Sequence, residues 1–244
     1  MRATEFEFNN RFWFIGLVFF LGFGAYRLDP VNFGIGLLHI FAPAIDPDSA
    51  RGNFWLRVIF ASGAALVFFA ALLRTWATAY LRTEIVHDAS MHSEALVADG
   101  PYRHVRNPLY LANLYLAAGF GVMASRLGWV VMILGMWLVV YRLILREEDG
   151  LLRTQGDSYR AYLKAVPRLW PSIGARVPGS GAAARWGQAF GGEIMFWLFG
   201  VGVVIFAITL DVKYALIVVG ASFPIYFLAV YLIKKRAAQE SPSA

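Results

Sequence analysis

The chain has 244 residues, 59% of them hydrophobic, and a mean hydropathy of +0.56, which excludes an ordinary soluble domain and places it among integral membrane proteins. It contains no cysteine, so disulfides, zinc–thiolate sites and a cysteine nucleophile are excluded. Its net charge of +6 reads as loop charge that orients membrane spans, not as a nucleic-acid surface.

Residues 1–10 are polar and suit the membrane interface. Arg11 to Leu28 is the first apolar run, at about 18 residues just long enough to cross; its Phe and Gly content and the lack of a small-residue cleavage site argue against a signal peptide. Val31 to Ile45 is apolar but short and contains Pro43, which predicts an interfacial or re-entrant segment. Residues 45–53 have turn chemistry. A second span begins at Asn53 or Phe54, reaches Leu73 and continues, more polar, through Arg82. Thr83 to Gly100 is hydrophilic and carries His87 and His92, whose spacing is not that of a metal pair. His39, in the apolar 31–45 segment, reads as an interfacial histidine.

Leu109 to Ser125 and Trp129 to Leu145 are so close that they form a helical hairpin, turned at Arg126, Leu127 and Gly128. Residues 172–192 are Gly/Ala-rich and basic, a linker or a surface helix. Ile194 to Leu210 and Tyr214 to Ile233 form a second hairpin, turned at 211–213, and the tail after Lys234 is small and polar. Between their ends the spans carry almost no ionisable residues. The fold class is therefore all-α: a polytopic integral membrane bundle of about six transmembrane helices, plus a short interfacial or re-entrant segment and a cytosolic amphipathic helix. It divides into an N-terminal helix and short segment (1–53), a core (54–172), a linker (173–192), a C-terminal transmembrane hairpin (193–233) and a tail (234–244). With six spans, only Arg27, Arg51, Arg57, Arg126 and Lys213 of the 22 Lys and Arg fall on one side. The positive-inside bias then puts both termini and both polar stretches in the cytoplasm.

Those polar stretches are LVADGPYRHVRNPLY, from Leu96, and EEDGLLRTQGDSYRAYLKAVPRLWP, from Glu147. In the first, Gly100-Pro101 signals a turn, and Pro108 suits the first turn of a helix while holding Asn107 extended. Arg103, His104, Arg106 and Asn107 thus occupy a loop that feeds a helix start, where free N–H groups and the helix dipole attract an anion and Arg106 adds a bidentate donor. An Arg-rich loop before a span is also a routine orientation signal. In the second stretch, Glu147 and Glu148 continue directly from a helix. They are either solvated charges or partners of the Arg loop. Leu151, Leu152, Tyr159, Tyr162, Leu163 and Val166 come next at roughly helical spacing. Gly156 breaks the run and Asp157 can cap the turns after it, describing an amphipathic helix able to roof a pocket. A rigid Pro-flanked turn then presents Arg168.

GPYRHVRNPLY resembles the G-P-Y-x-x-x-R-H-P-x-Y signature of the isoprenylcysteine carboxyl methyltransferase and phospholipid N-methyltransferase superfamily. The second stretch is similar to its other signature: paired acids, a Leu pair, Gly, two spaced Tyr, then V-P-R-x-x-P. The resemblance covers roughly residues 54–172 and implies S-adenosylmethionine bound at the cytosolic face, with a lipophilic acceptor entering from the bilayer and no nucleic acid or metal involved. Carried over by motif, Gly100, Tyr102, His104, Arg106, Asn107, Pro108 and Tyr110 line the cofactor site and Glu147 and Glu148 close it. Tyr159, Tyr162 and Arg168 face the acceptor, and Arg106, Glu148 and Arg168 are the candidate catalytic residues. Asn107 stands where the signature usually has His, which removes any role that needs an imidazole. The implied activity is O-methylation of a prenylcysteine α-carboxylate. The alternatives are N-methylation of phosphatidylethanolamine and, from a related helical core, an NADPH-dependent membrane sterol or ene reductase.

Overall fold

The computed structural model describes residues 2–81 and 98–240; His87 and His92 lie outside them. The described residues form eight α-helices: α1 (Glu5–Asn9), α2 (Arg11–Gly24), α3 (Phe33–Phe41), α4 (Ala50–Tyr80), α5 (Pro108–Gly121), α6 (Arg126–Ala165), α7 (Trp186–Thr209) and α8 (Val212–Glu240). Short 3-10 turns occupy Ala25–Arg27 and Gly100–Arg103.

Four helices, α4, α6, α7 and α8, are long and apolar enough to cross a membrane, and the chain is a multi-pass integral membrane protein. The expectation of about six spans is therefore met only in part. Helices α2 and α5 have 14 residues each, a rise of about 21 Å against a hydrocarbon core of about 30 Å. The cause is local. The first apolar run gives its last turn to the 3-10 segment at Ala25–Arg27, and the third ends its helix at Gly121, leaving residues 122–125 for the reversal. Helix α3, with nine residues, is too short to cross.

Serine caps move two helix starts away from the sequence reading. The Ser49 hydroxyl accepts from the Gly52 N–H at 3.0 Å, so α4 begins at Ala50, inside the expected 45–53 loop. The Ser125 hydroxyl accepts from the Gly128 N–H at 3.0 Å, so Arg126, Leu127 and Gly128 form the first turn of α6 and not the reversal. Arg126 instead pairs with Asp29 at 3.0 Å.

Neighbouring helices pack in the spatial order α2, α6, α5, α4, α7, α8. The core lies between α4, α5 and α6, where Val67, Ala70, Ala112, Ala117, Met132 and Met136 are buried. Small residues let backbones approach closely: a Cβ on Gly119 of α5 would lie 2.7 Å from the Gly63 carbonyl of α4. The chain ends of this bundle sort into two groups. At one end the α2–α3 connection meets the α5–α6 reversal through the Asn32–Ser125 bridge and the Tyr26 hydroxyl on the Met123 carbonyl at 2.8 Å. At the other the amino terminus folds onto α6, with Arg142 on Glu7 at 2.8 Å and Arg2 on Asp149 at 2.8 Å.

Gly119→Val is expected to destabilise the protein by about 1–3 kcal/mol through forced separation of α4 from α5. Gly192→Ala, inside α7 where an added Cβ meets nothing within 4 Å, is expected to stabilise it by about 0.4–1 kcal/mol; detergent-titrated unfolding compares the two. Single cysteines at Asp48 and Gly174, both exposed, are expected to react with an impermeant maleimide from opposite sides of sealed vesicles, Gly174→Cys from the cytoplasmic side.

Candidate active site

The 98–110 loop is shaped by its own sequence. Gly100 adopts φ +55° with its α-carbon against the Tyr80 ring, where a Cβ would collide; only glycine meets both demands at once. Pro101 then opens the 3-10 turn, with the Tyr102 N–H on the Asp99 carbonyl at 3.1 Å and the His104 N–H on the Pro101 carbonyl at 2.9 Å. Pro108 starts α5. Its N-cap residue, Asn107, makes no side-chain cap, so the first-turn N–H groups have no side-chain acceptor from it and the positive end of the helix remains an anion-attracting surface.

A second segment, residues 166–180, lies along this loop and pins it. The Arg106 N–H donates to the Pro167 carbonyl at 2.9 Å, the Ser172 N–H to the His104 carbonyl at 3.0 Å and the Arg176 N–H to the Arg103 carbonyl at 2.9 Å. His104 Nδ1 lies 3.0 Å from the Ser172 carbonyl, the Arg103 Nε–H donates to the Val177 carbonyl at 2.9 Å, and Ser180 donates its N–H to Asp99 at 2.8 Å and its hydroxyl to the same carboxylate. His104, expected among the cofactor ligands, thus faces this strap. Of the 173–192 stretch read as a linker, residues 176–180 hold the loop and the residues from Trp186 open α7.

The two signature stretches meet at Glu148. Its side chain, 8% exposed, lies between two guanidiniums. Arg168 reaches it through Nε on Oε1 at 3.2 Å and Nη2 on Oε2 at 2.7 Å, the bidentate fork expected of an arginine and a carboxylate. Arg106, 9% exposed, approaches with Nε 3.4 Å from Oε1. The two form an ion pair without a hydrogen bond, and Arg106 Nε is a buried donor without an acceptor among the described residues. Arg106 Nη1 donates to the Leu163 carbonyl at 3.1 Å. Asn107 donates its amide to Glu148 Oε1 at 3.4 Å and to the Arg168 carbonyl at 3.2 Å. Arg168 also contacts the Tyr141 hydroxyl at 3.3 Å and lies over its ring. One negative charge between two positive ones leaves the cluster with a net positive charge at low exposure, a setting that favours a second anion.

Glu147 turns away from Glu148, as successive helical residues must, and lies against Tyr110. Tyr102 stands near Glu147 and Tyr162; the atoms packed round it push its hydroxyl well above the ordinary range, with the Glu147 charge adding to the effect, so it stays un-ionised. Helix α6 breaks at Gly156, φ +57°, and the turns after it bring Tyr159 and Tyr162 under cover with Val166. The Tyr162 hydroxyl donates to the Tyr102 carbonyl at 2.7 Å, which joins this roof to the loop.

A further polar cluster borders Tyr102, and no motif in the sequence announces it. Arg74 of α4 pairs with Glu193 of α7 at 2.6 Å and donates to the Asn113 amide oxygen at 3.1 Å. The Thr78 hydroxyl donates to Glu193 at 2.8 Å, and Arg74 stacks on Phe196 with 4.0 Å to the ring centroid. Both residues lie just beyond the apolar runs that end at Leu73 and begin at Ile194, so the expectation of almost no ionisable residues between the ends of the spans is untouched by this pair. Helix α4 runs on to Tyr80 and α7 begins at Trp186, and these extensions bring the two charges together at the ends of their apolar runs.

Residues 58–156 match the family model described as phospholipid methyltransferase. Two curated proteins are similar over 107 residues at 26% identity: the cobalt-zinc-cadmium resistance protein CzcN of Cupriavidus metallidurans and the nickel-cobalt-cadmium resistance protein NccN of Alcaligenes xylosoxydans xylosoxydans. The similar stretch is 44% of this chain and 46% and 47% of those proteins, so the chain spans about half the length of each. No solved structure matches.

Glu148→Ala is expected to destabilise the protein by about 3–5 kcal/mol, because two guanidiniums lose their shared counter-charge at low exposure. Arg168→Ala, whose side chain is 35% exposed, is expected to cost about 1–2 kcal/mol. Unfolding titrations in detergent give both values.

Proposed function

We propose, from the membership of residues 58–156 in the phospholipid methyltransferase family of integral membrane proteins, that this chain is an S-adenosylmethionine-dependent methyltransferase acting on a lipophilic acceptor. The observation that carries the reading is the Arg106–Glu148–Arg168 cluster, which joins polar stretches whose contacts reach 41 and 61 residues along the chain at one end of an apolar bundle.

The residues present fit the donor's charged groups. The unbonded Arg106 Nε and the uncapped start of α5 suit its carboxylate, and Glu148 and Glu147 suit its ammonium. When bound, S-adenosylmethionine supplies an electrophilic methyl on sulfonium. The chain's own task is alignment and exclusion of water. Arg106 orients a carboxylate, Asn107 and Arg168 hold Glu148 in place, and Tyr159 and Tyr162 roof the loop. Arg168, the more exposed of the two guanidiniums, is placed to orient an acceptor. A prenylcysteine α-carboxylate is already ionised and needs only that orientation.

An aminophospholipid is the second reading, favoured by the description of the matching family and by Glu147. An amine must lose a proton before it accepts a methyl, and a carboxylate held against Tyr110 is the group placed to take it. The two relatives are named for resistance to metal ions. Among the described residues no group of three or more His, Asp or Glu could hold one, and no metal site is proposed.

Purified protein with radiolabelled methyl donor is expected to label a lipophilic acceptor from a panel of prenylcysteine and phosphatidylethanolamine. Arg106→Ala is expected to weaken calorimetric donor affinity at least tenfold, with Arg106→Lys recovering part of it, since a lost charged hydrogen bond is worth about 1.5–3 kcal/mol. Unchanged donor affinity in Arg106→Ala would remove this pocket from consideration. Glu147→Gln is expected to lower labelling of phosphatidylethanolamine more than labelling of prenylcysteine if both acceptors are used, because only the amine also loses its base.

A further inference from the structure

The far end of the bundle from Glu148 holds a cavity of about 420 Å³ on the flank between α4 and α7. On α4 its wall is Ala61, Ala64 and Ala65; on α7 it is Val204, Ala207 and Ile208. Small side chains at i, i+3 and i+4 on one helix leave the facing ridge unfilled, so the helices border a groove there instead of interlocking. Phe68 closes it at depth, its ring against Gly200 and 6.0 Å from Trp197. Arg57 is the one charged residue of its wall.

Arg57 is exposed, and its one hydrogen bond among the described residues runs from Nη1 to the Ala207 carbonyl at 3.4 Å, in the last turn of α7. That contact is long, and it engages one of the guanidinium nitrogens. Phe54 and Trp55, 59% and 42% exposed, stand one turn or less away and mark the depth of an interfacial aromatic belt. From Arg57 to Phe68 the helix rises about 16 Å, against about 15 Å for half of a bilayer's hydrocarbon core. The groove thus has the length of one leaflet's acyl region, an apolar lining, and a cation at the headgroup end.

We propose that this groove is a binding site for a phospholipid with an anionic headgroup, one acyl chain lying along the alanine strip and the phosphate on Arg57. A guanidinium fork matches phosphate oxygens bidentately, and at the headgroup depth its charge favours a net-anionic lipid over a zwitterion, whose ammonium competes. The site is separate from the acceptor proposed above. Arg74 lies about 25 Å farther along α4, and Phe68, Trp197 and the Arg74–Glu193 pair intervene. The bound lipid fills the gap between the family core and the C-terminal hairpin at the end where no ion pair joins them among the described residues.

The test is native mass spectrometry of the protein released from nanodiscs that mix phosphatidylglycerol with phosphatidylcholine. Wild type is expected to retain phosphatidylglycerol in preference to its share in the disc. Arg57→Gln is expected to lower that retention about tenfold, the loss of one charged contact, while phosphatidylcholine adducts persist. Ala65→Leu, at an exposed position where the larger side chain fills the groove without crowding the core, is expected to remove both. Retention of the two lipids in their disc ratio by wild type overturns the proposal. So does wild-type retention of phosphatidylglycerol by Ala65→Leu, which needs no result from the arginine variant. Methyl-donor affinity is expected to stay unchanged in Ala65→Leu, so this outcome is independent of the catalytic reading.

Discussion

One carboxylate held between two guanidiniums organises the loop end of this molecule. Glu148 comes from α6, Arg106 from the loop that starts the preceding helix α5, and Arg168 from the turn that ends the roof. Removing water from three charges is costly unless each finds partners of good geometry. The strap at 166–180, with its backbone bonds to His104, Arg103 and Arg106, and the Tyr162 bond to the Tyr102 carbonyl supply the rigidity that geometry needs. The apolar bundle in turn fixes where the three backbones can run. A site of this kind cannot be assembled piecemeal: Arg106 and Glu148 depend on each other for their tolerance of burial, and the more exposed Arg168 completes the carboxylate's partners.

The range of each interaction decides whether it is legible in the amino-acid order. Pro101, Pro108 and Gly156 act locally, and each does what its residue type requires: a 3-10 turn, a helix start and a break. The pairing of the two polar stretches is legible because both carry charge at the edge of apolar runs and have to meet partners somewhere. The helix starts at Ser49 and Ser125 depart from the apolar pattern because a single hydroxyl cap outweighs the residues after it. The span count departs because hydropathy reports how many apolar residues are present, not how many of them a reversal consumes. Arg74 and Glu193 stay hidden because they lie 119 residues apart, and neither sits in a motif that names the other.

That pair changes the standing of the C-terminal hairpin. By its apolar pattern alone α7 is a span appended to a core, and the matched family region ends before it. In the folded chain its first turns carry Glu193 to Arg74 and Thr78, and Arg74 links it to Asn113, on two helices of that region, beside Tyr102 of the loop. The Trp197 indole also donates to the Thr75 hydroxyl at 3.0 Å. Helix α7 is thus tied to α4 by polar contacts at one end and meets it over small side chains and a groove at the other. The two helices are joined by charge and hydrogen bonds at the loop end and by apolar packing at the other, where the Phe60 and Phe206 ring centroids lie 4.7 Å apart.

Asn107 illustrates how a departure from a signature can be consistent with the fold. Its neighbours are the Glu148 carboxylate and the Arg168 carbonyl, both acceptors. An amide NH2 offers two donors with no charge, whereas a neutral imidazole offers one and a second only on becoming a cation. Beside two guanidiniums that extra positive charge would be disfavoured. Asparagine therefore satisfies both acceptors while adding no charge of its own to the cluster. It also cannot accept or release a proton, so residue 107 is no general base; the proposed base for an amine acceptor, Glu147, lies on a different face of α6 from the carboxylate that the two arginines hold.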